Sequence, residues 1–291
     1  MIKKNLMAIS LFLLAIINSP AQTNKQSIPV SQVFRSQIIL SNLHTLSIHI
    51  KDPVIHDSVF HFLKDKLQLP VYYNPLTLGE RRYAGIFAGN LVLEPCGPYS
   101  NFSYATKDFK AIFFGLTFEP ANSMSNTSKS LQEKKIKHEV ASDEFIYLKE
   151  PDLCDGNTAI SIMDKHEKEA DHAKLDSLRL VMELSRNSDL VIEYVKEIQI
   201  GYTNASSLKR WEELISPAEF STGKVWNAKN KLNIRFLQGE IKEVKGITFK
   251  VKSLEKAKKH LSKNNITFIQ NRNNILLDRS GTFGLTINME E

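Results

Sequence analysis

Residues 247–289 read ITFKVKSLEKAKKHLSKNNITFIQNRNNILLDRSGTFGLTINM, and this stretch decides the fold. The alternating segment 247–253 predicts a β-strand. Leu254, Ala257 and Leu261 then recur at the spacing of an amphipathic helix. Three short apolar runs follow, at 265–268, 275–278 and 284–289. The order is therefore strand, helix, strand, strand, strand.

The same order occurs near the N-terminus. The segment 46–52, LSIHIKD, alternates like a strand, and an amphipathic helix with Val59, Phe60 and Leu63 on one side follows it. The run LPV at 69–71 and the run GNLVLEP at 89–95 supply later strands. Two copies of one pattern, each over roughly fifty residues, indicate a repeated structural unit.

Two less regular units complete the chain. One opens with the strand 111–119 and has its predicted helix at 128–138, after a loop at 120–127. The other opens with the strand 195–202, and its helix carries Trp211. The predicted division is a signal peptide at 1–21, a leader at 22–39, a first domain of two units at 40–166, a helical linker at 167–189 and a second domain of two units at 190–291.

This order of elements resembles the βαβββ module of the vicinal-oxygen-chelate superfamily, which includes glyoxalases, bleomycin-resistance proteins and extradiol dioxygenases. The resemblance implies an α+β fold in which paired modules form two half-open antiparallel β-cups with external helices. It also implies that a small-molecule site lies inside a cup. The fold alone does not fix the reaction.

In members of that superfamily that bind a metal, one ligand lies on the first strand of a module, about seven residues before the Asp that starts the helix. Another ligand is a Glu on the fourth strand. In the first module these positions are Thr45, seven residues before Asp52, and Glu94. The resemblance thus implies Zn, Fe, Mn or Ni as candidate cofactor, with His49 and Glu94 as candidate ligands, because a metal with open positions polarises a bound oxygen.

Alternation along the first strand places Thr45, Ser47 and His49 on the face that lines the cup. Thr45 and Ser47 are therefore candidate ligand-binding residues. His49 and Glu94 are candidate catalytic residues, as a general base and its partner, and a hydrogen-bonded pair that only shapes a pocket is the alternative. A carboxylate nearby is expected to stabilise the charged form of His49. His44 is one residue out of register and would need a β-bulge to reach the cup.

The metal pattern is incomplete in every module. Glu197 is in ligand register in the third module, but its fourth strand offers Arg235, a cation. Glu197, Arg235 and Trp226 are candidate ligand-binding residues of the second cup, where an Arg would suit a carboxylate ligand. In the last module Gly246 and Asn288 occupy the two ligand positions.

The N-terminus and the charge limit the classes of function. Lys3 and Lys4, an apolar stretch at 6–17 and small residues before Gln22 predict a signal peptide cleaved after Ala21. Its removal lowers the formal charge from +6 to +4, because residues 1–21 contain two lysines and no acid. This weak, evenly spread charge predicts no nucleic-acid partner. We expect an exported, periplasmic or secreted protein without stable membrane insertion.

The chain has two cysteines, Cys96 and Cys154. Export would permit a disulfide between them, and two buried thiols are an equal alternative. Neither belongs to a Cys-x-x-Cys pair, which argues against redox catalysis.

Two hypotheses about function remain open. In the first, the protein binds a small organic molecule in a β-cup without a metal. In the second, it is a divalent-metal-dependent lyase, isomerase or dioxygenase that acts on a small substrate with vicinal oxygens.

Overall fold

The first strand of the fold, β1 (Leu40–Ile50), follows the apolar alternation of its sequence. Leu46, Ile48 and Ile50 are at most 1% exposed, so one face of this strand lies entirely in the core. Helix α1 (Pro53–His61) follows the strand, and Asp52 caps its first turn. The Asp52 carboxylate accepts a hydrogen bond from the backbone N–H of Val54 at 2.8 Å, which satisfies a donor that the helix itself cannot satisfy.

The computed structural model describes residues 38–98, 109–154, 157–164, 168–184, 190–215, 224–228 and 230–291. The predicted signal peptide and the predicted leader up to residue 37 lie outside these residues. Within them, no helix is both long and apolar enough to cross a membrane.

The strands of the first half form one eight-stranded sheet with the order β2-β3-β4-β1-β5-β8-β7-β6. A π-helical turn, Phe62–Lys66, prolongs α1. The remaining elements of this half are β2 (Val71–Leu78), β3 (Arg81–Phe87), β4 (Val92–Gly97), β5 (Ala111–Pro120), α2 (Met124–Glu133), β6 (His138–Ser142), β7 (Phe145–Leu148) and β8 (Ala159–Met163).

Helix α3 (Lys168–Leu184) connects this sheet to a seven-stranded sheet with the order β10-β11-β9-β12-β15-β14-β13. The elements of the second half are β9 (Ile192–Tyr202), α4 (Ala205–Ile215), β10 (Val225–Asn227), β11 (Asn233–Gln238), β12 (Val244–Val251), α5 (Leu254–Lys263), β13 (Phe268–Gln270), β14 (Asn274–Leu277) and β15 (Ile287–Glu290).

The predicted βαβββ units are present. The last unit runs β12, α5, β13, β14, β15, which confirms the prediction for residues 247–289. The first and second units have the same order, and the third shows β9, α4, β10 and β11, with residues 216–223 outside the described part. The prediction of a helix at 128–138 was wrong in its bounds. Ser123 caps the helix by accepting a hydrogen bond from the Asn126 backbone, so α2 starts and ends earlier.

Each sheet is mixed, because the first and last strands of a unit pair in parallel. The parallel pairs are β1 with β4, β5 with β8, β9 with β11, and β12 with β15. The two units of a sheet meet through an antiparallel pair of first strands, β1 with β5 and β9 with β12. The first strands therefore lie at the centre of each sheet, with a last strand on either side.

The apolar faces of the two sheets meet around one tryptophan. Trp211 of α4 is 1% exposed. Its ring centroid lies 6.4 Å from that of Phe118 in β5 and 5.1 Å from that of Phe236 in β11. The hydrophobic core thus lies between the sheets, and the opposite, more polar face of each sheet is the place to search for a site.

Candidate functional site

Three residues of the first sheet form a polar group on that face. The Tyr73 hydroxyl donates a hydrogen bond to Glu94 Oε1 at 2.7 Å, and the Ser47 hydroxyl donates to Glu94 Oε2 at 3.2 Å. Burial and the adjacent Glu94 carboxylate raise the pKa of Tyr73, so its phenol stays protonated and remains a donor. Ser47 and Glu94, two of the predicted site residues, are therefore brought together.

The polar group continues across the centre of the sheet. Thr45 is the register partner of Thr117, and Thr117 Oγ1 lies 2.9 Å from Ser161 Oγ. Thr45 and Ser47 are 7% and 9% exposed. Hydroxyl groups therefore occupy the middle of a face that is largely closed to solvent.

A β-bulge brings His44 to the same face. Leu43 pairs with Phe118 and Thr45 with Thr117, so His44 is an extra residue in β1 at this point. Neighbouring residues of a regular strand point to opposite faces. Here His44 Nδ1 lies 2.7 Å from Thr45 Oγ1, which requires both side chains to be on one side. The bulge that the sequence analysis required for His44 is present.

The linker helix α3 lies against this face through Asp171. One Asp171 carboxylate oxygen is 3.3 Å from His44 Nε2, and the other accepts a hydrogen bond from the Tyr72 hydroxyl. The Lys174 ammonium lies 4.3 Å from the centre of the Tyr72 ring. Burial, followed by the hydrogen bond and the charge of Asp171, raises the pKa of Tyr72. Asp171 thus connects the helix to two donors of the sheet.

His49 is fully buried beside two aromatic rings. Its ring centroid lies 5.3 Å from that of Phe114 and 6.2 Å from that of Phe109. Burial, with smaller contributions from Arg81 and Lys51, lowers the pKa of His49 to about 3. The expectation of a stabilised charged form was therefore wrong, because the loss of solvation dominates. His49 is a neutral imidazole at neutral pH.

The register still places His49 near the polar group. Ser47 pairs with Glu94 and His49 pairs with Cys96 along the parallel β1–β4 ladder, so alternation puts all four on one face. Cys96 is buried in β4, and Cys154 is half-buried after β7.

The two histidines of helix α1 differ in exposure. His56 is fully buried on the side of α1 that faces the sheet, where its Nε2 lies 3.1 Å from the Pro95 carbonyl oxygen and burial lowers its pKa. The His61 side chain is 61% exposed and pairs with Asp65, so it stays at the surface.

The second sheet joins two of its predicted site residues as an ion pair. Arg235 Nε donates a hydrogen bond to Glu197 Oε2 at 2.9 Å, and the terminal nitrogen Nη2 of Arg235 lies 2.8 Å from the same oxygen. Gln199 Nε2 donates to the other Glu197 oxygen at 3.1 Å. The hydrogen bond and charge of Glu197 raise the pKa of Arg235. Both Glu197 oxygens therefore have donors from the chain itself.

Trp226 does not join Glu197 and Arg235. It pairs with Ile234, which alternates with Arg235 along β11, so Trp226 projects from the opposite face. It is 1% exposed, and its ring centroid lies 6.0 Å from that of Phe118. The structure therefore gives Trp226 a packing role between the sheets instead of the predicted ligand contact.

The two sheets correspond residue by residue at their centres. In β9 the extra residue is Lys196, because Val195 pairs with Phe249 and Glu197 with Thr248. This is the same pattern as the bulge in β1. The corresponding positions, first sheet before second, are His44 and Lys196, Thr45 and Glu197, Ser47 and Gln199, Glu94 and Arg235, Thr117 and Thr248, and Ser161 and Asn288.

The described residues at the centres of the two sheets do not fit a divalent metal ion. No group of three or more His, Cys, Asp or Glu side chains in the described ranges is arranged to hold one. In the second sheet the guanidinium of Arg235 occupies the place beside Glu197, and this cation would oppose a metal ion. In the first sheet the Glu94 oxygens accept from two hydroxyls, which are protonated donors.

Two cavities border α3. One of about 160 Å³ lies beside His44, with Asn42 and Val92 on the sheet side and Asp176 on the helix side. A larger one of about 500 Å³ lies towards the C-terminal end of α3 and is lined by Met182 and residues 191–194, among others. The α3 residues that line the two cavities, from His172 to Glu183, recur at helical spacing, and Arg179 lines both. The cavities therefore lie one after the other along the same face of α3.

Sequence reasoning missed Tyr72, Tyr73 and Asp171. The two tyrosines begin β2, which the sequence showed only as the short run 69–71. Asp171 is one acid among many in a charged linker, and nothing in its sequence context marks it. Only the packing of α3 against the sheet reveals its role.

No protein-family model matches the sequence, and none of the curated proteins is detectably similar to it. Solved structures are similar in three dimensions. A homoprotocatechuate 2,3-dioxygenase variant from Brevibacterium fuscum matches with a TM-score of 0.53 at 12% identity, over 88% of this chain and 72% of that one. The 2,3-dioxygenase LapB from Pseudomonas sp. KL28 matches with a TM-score of 0.53 at 10% identity, over 87% and 93%.

A third neighbour, homoprotocatechuate 2,3-dioxygenase from Arthrobacter globiformis, gives a TM-score of 0.53 at 10% identity, over 87% of this chain and 80% of that one. These are extradiol dioxygenases, and identities this low establish shared architecture only. The chain therefore shares the paired-module fold of these dioxygenases.

Proposed function

We propose that this protein binds a small organic molecule on the polar face of its first sheet, beneath α3. The observation that carries the proposal is the Ser47–Glu94–Tyr73 group. A carboxylate, a phenol and a serine hydroxyl meet there on a face largely closed to solvent. Buried polar groups require partners, and a few convergent polar groups in an otherwise apolar wall are typical of ligand pockets.

The ligand that suits this group carries hydroxyl or amine donors. Glu94 is an acceptor when it is ionised, and it can accept more hydrogen bonds than the two from Tyr73 and Ser47. One structural neighbour was solved in complex with 3,4-dihydroxyphenylacetate. Hydroxylated aromatic compounds are therefore the first probes for this chain.

A metal-dependent lyase, isomerase or dioxygenase would need a set of ligands that the described residues do not supply. We therefore derive no step through a metal ion, and binding without one is the function that these residues support best. Metal analysis of the purified mature protein and of Glu94→Ala tests this. A stoichiometric divalent metal that Glu94→Ala abolishes would contradict it.

The binding test compares Glu94→Gln with Glu139→Gln. Both remove one negative charge from the first sheet, but the Glu139 side chain is 60% exposed and pairs only with Lys149 among the ion pairs described. We expect 3-hydroxybenzamide to bind the wild type and Glu139→Gln equally in calorimetry. Glu94→Gln should lose at least tenfold in affinity, about 1.4 kcal/mol. Equal affinity in all three proteins would overturn the proposal.

We further propose that the protein is exported and that residues 1–21 are removed. The support is the basic, then apolar, then small-residue pattern of that segment. Mass spectrometry of the protein from its native host should find Gln22 as the first residue. A full-length cytoplasmic product would contradict export.

A further inference from the structure

The Asp171 carboxylate occupies a position that would suit the carboxylate of a bound ligand. It comes from the linker helix, outside the sheet, and its side chain is 10% exposed. It lies 3.3 Å from His44 and accepts from the Tyr72 hydroxyl, so an imidazole and a phenol of the sheet converge on it. An imidazole and a phenol are donors of the kind that bind carboxylates in protein sites.

In the second sheet, the side chain at the bulge also contacts a carboxylate. Lys196, the counterpart of His44, pairs with Glu290 of β15. Ser161 of the first sheet corresponds to Asn288 of the second. Met163 follows Ser161 by two residues, as Glu290 follows Asn288, so Met163 corresponds to Glu290. The first sheet has an apolar residue where the second has its acid. The carboxylate at His44 is supplied from outside the sheet, by α3.

We infer that Asp171 holds the place of a carboxylate group of the ligand, so that the natural ligand of the first sheet is a small carboxylic acid. This inference rests on the proposed function. The ligand's carboxylate takes the place of Asp171 at His44 and Tyr72, and its other polar groups reach Glu94. Helix α3 moves away from the sheet when the ligand enters.

The surroundings of α3 suit such a movement. The cavity beside His44 measures about 160 Å³, which is below the roughly 300–1,000 Å³ of ordinary ligand pockets. Asp171 already contacts His44 and Tyr72, so a ligand carboxylate reaches these two donors only if Asp171 is displaced. The cavity of about 500 Å³ near Met182 lies along the same face of α3, so the helix is loosely packed over much of its length. Leu180 and Leu184 of α3 are 55% and 74% exposed, so this part of the helix contributes little to the core.

The experiment uses two compounds that differ only in charge. 3-Hydroxybenzoate carries a carboxylate, and 3-hydroxybenzamide is its neutral counterpart. Calorimetry with the wild type and Asp171→Asn measures the affinity for each. We expect Asp171→Asn to bind 3-hydroxybenzoate at least fivefold more tightly than the wild type, because the internal competitor is gone. The affinity for 3-hydroxybenzamide should change less than twofold.

Two further variants localise the effect. Tyr72→Phe and His44→Gln should each weaken 3-hydroxybenzoate binding at least fivefold in the Asp171→Asn background, with circular dichroism confirming that they fold. Glu139→Gln is the matched control, since Glu139 lines neither of the two cavities, its side chain is 60% exposed and the substitution changes the net charge equally. It should leave both affinities unchanged.

The outcomes separate this inference from the proposed function. If Asp171→Asn binds the acid no more tightly than the wild type, or gains equally for the amide, the inference is wrong while cup binding stands. An equal gain from Glu139→Gln would also overturn it, since the effect would then be one of net charge. If neither compound binds the wild type or Asp171→Asn, the proposed function itself fails. Hydrogen exchange of α3 should accelerate on addition of the acid, and unchanged protection would contradict displacement of the helix.

Discussion

The two sheets share a backbone pattern but differ in chemistry at their centres. Both have a bulge in the first strand and a parallel last strand beside it. Where the first sheet has Glu94, held by two hydroxyls, the second has Arg235, held by the carboxylate of Glu197. The second sheet neutralises its polar centre with its own side chains. The first leaves a carboxylate that accepts from hydroxyls, and this difference is why we assign the site to it.

The largest effect on stability is expected from Glu94→Ala. The half-buried Tyr73 side chain would lose the acceptor of its hydroxyl, and such a loss costs about 2–3 kcal/mol when the missing acceptor is charged. Urea unfolding with linear extrapolation measures the free energy of unfolding. Glu139→Ala, at an exposed carboxylate of the same sheet, should change it by less than about 0.5 kcal/mol. A loss below about 1 kcal/mol for Glu94→Ala would show that the two sheets tolerate polar centres equally.

Acid should destabilise the protein through His49, whose counterpart in the second sheet is Gly201. The pKa of His49 is about 3 when folded and 6.5 when unfolded. Between these values the unfolded chain binds a proton that the folded chain excludes, so stability is full above pH 6.5 and falls as the pH drops towards 3. At pH 5, about 1.5 pH units below the pKa of the unfolded state, the free energy of unfolding is lower by about 2 kcal/mol.

His49→Gln removes this contribution, so its free energy of unfolding should fall less between pH 7 and pH 5 than that of the wild type. Urea unfolding at both pH values makes the comparison. Parallel pH profiles of the two proteins would contradict a depressed pKa at His49. The reduced stability of the variant at pH 7 does not affect the test, because only the slope with pH is compared.

Arg235→Ala should cost less than Glu94→Ala, at about 1 kcal/mol. The Arg235 side chain is 40% exposed, so solvent screens its attraction to Glu197 and water can replace it as a donor. The cost should shrink in high salt. A loss as large as that of Glu94→Ala, independent of salt, would contradict this ranking of the two centres.

Glu290→Gln should have the smallest effect, at most about 0.5 kcal/mol. The substitution weakens the ion pair between Glu290 and Lys196, whose side chains are 33% and 41% exposed, respectively. Thermal unfolding at low and high salt measures the effect. A change above about 1 kcal/mol would show that the bulge residue of the second sheet is anchored more strongly than its exposure indicates.

The strands and helices could largely be predicted from the sequence because each carries a clear period. Leu46, Ile48 and Ile50 are buried as alternation required, and the unit at 247–289 has its five elements in the expected order. Ser47 and Glu94 lie on the same face, as the alternation along the first strand required, and they are hydrogen-bonded there. Local periodicity was sufficient for these features.

The remaining parts of the site depend on interactions between distant segments. The sequence predicts a ligand contact for Trp226, but its pairing with Ile234 turns its side chain into the core. The sequence also predicts a stabilised charged form of His49, but burial keeps its imidazole neutral. Asp171 lies 127 residues from His44 along the chain, and no local sequence pattern predicts their contact. Tertiary packing, which a single sequence does not display, decides all three.

His44 is the extra residue at the bulge in β1, so deleting it would restore strict alternation and keep Leu43 opposite Phe118. Leu40 and Leu43, now fully buried, would stay on the core face. The sheet would lose only the imidazole that the bulge adds to its polar face, where the second half has an ammonium. The bulge therefore adds a functional side chain to the polar face without changing which side chains β1 buries.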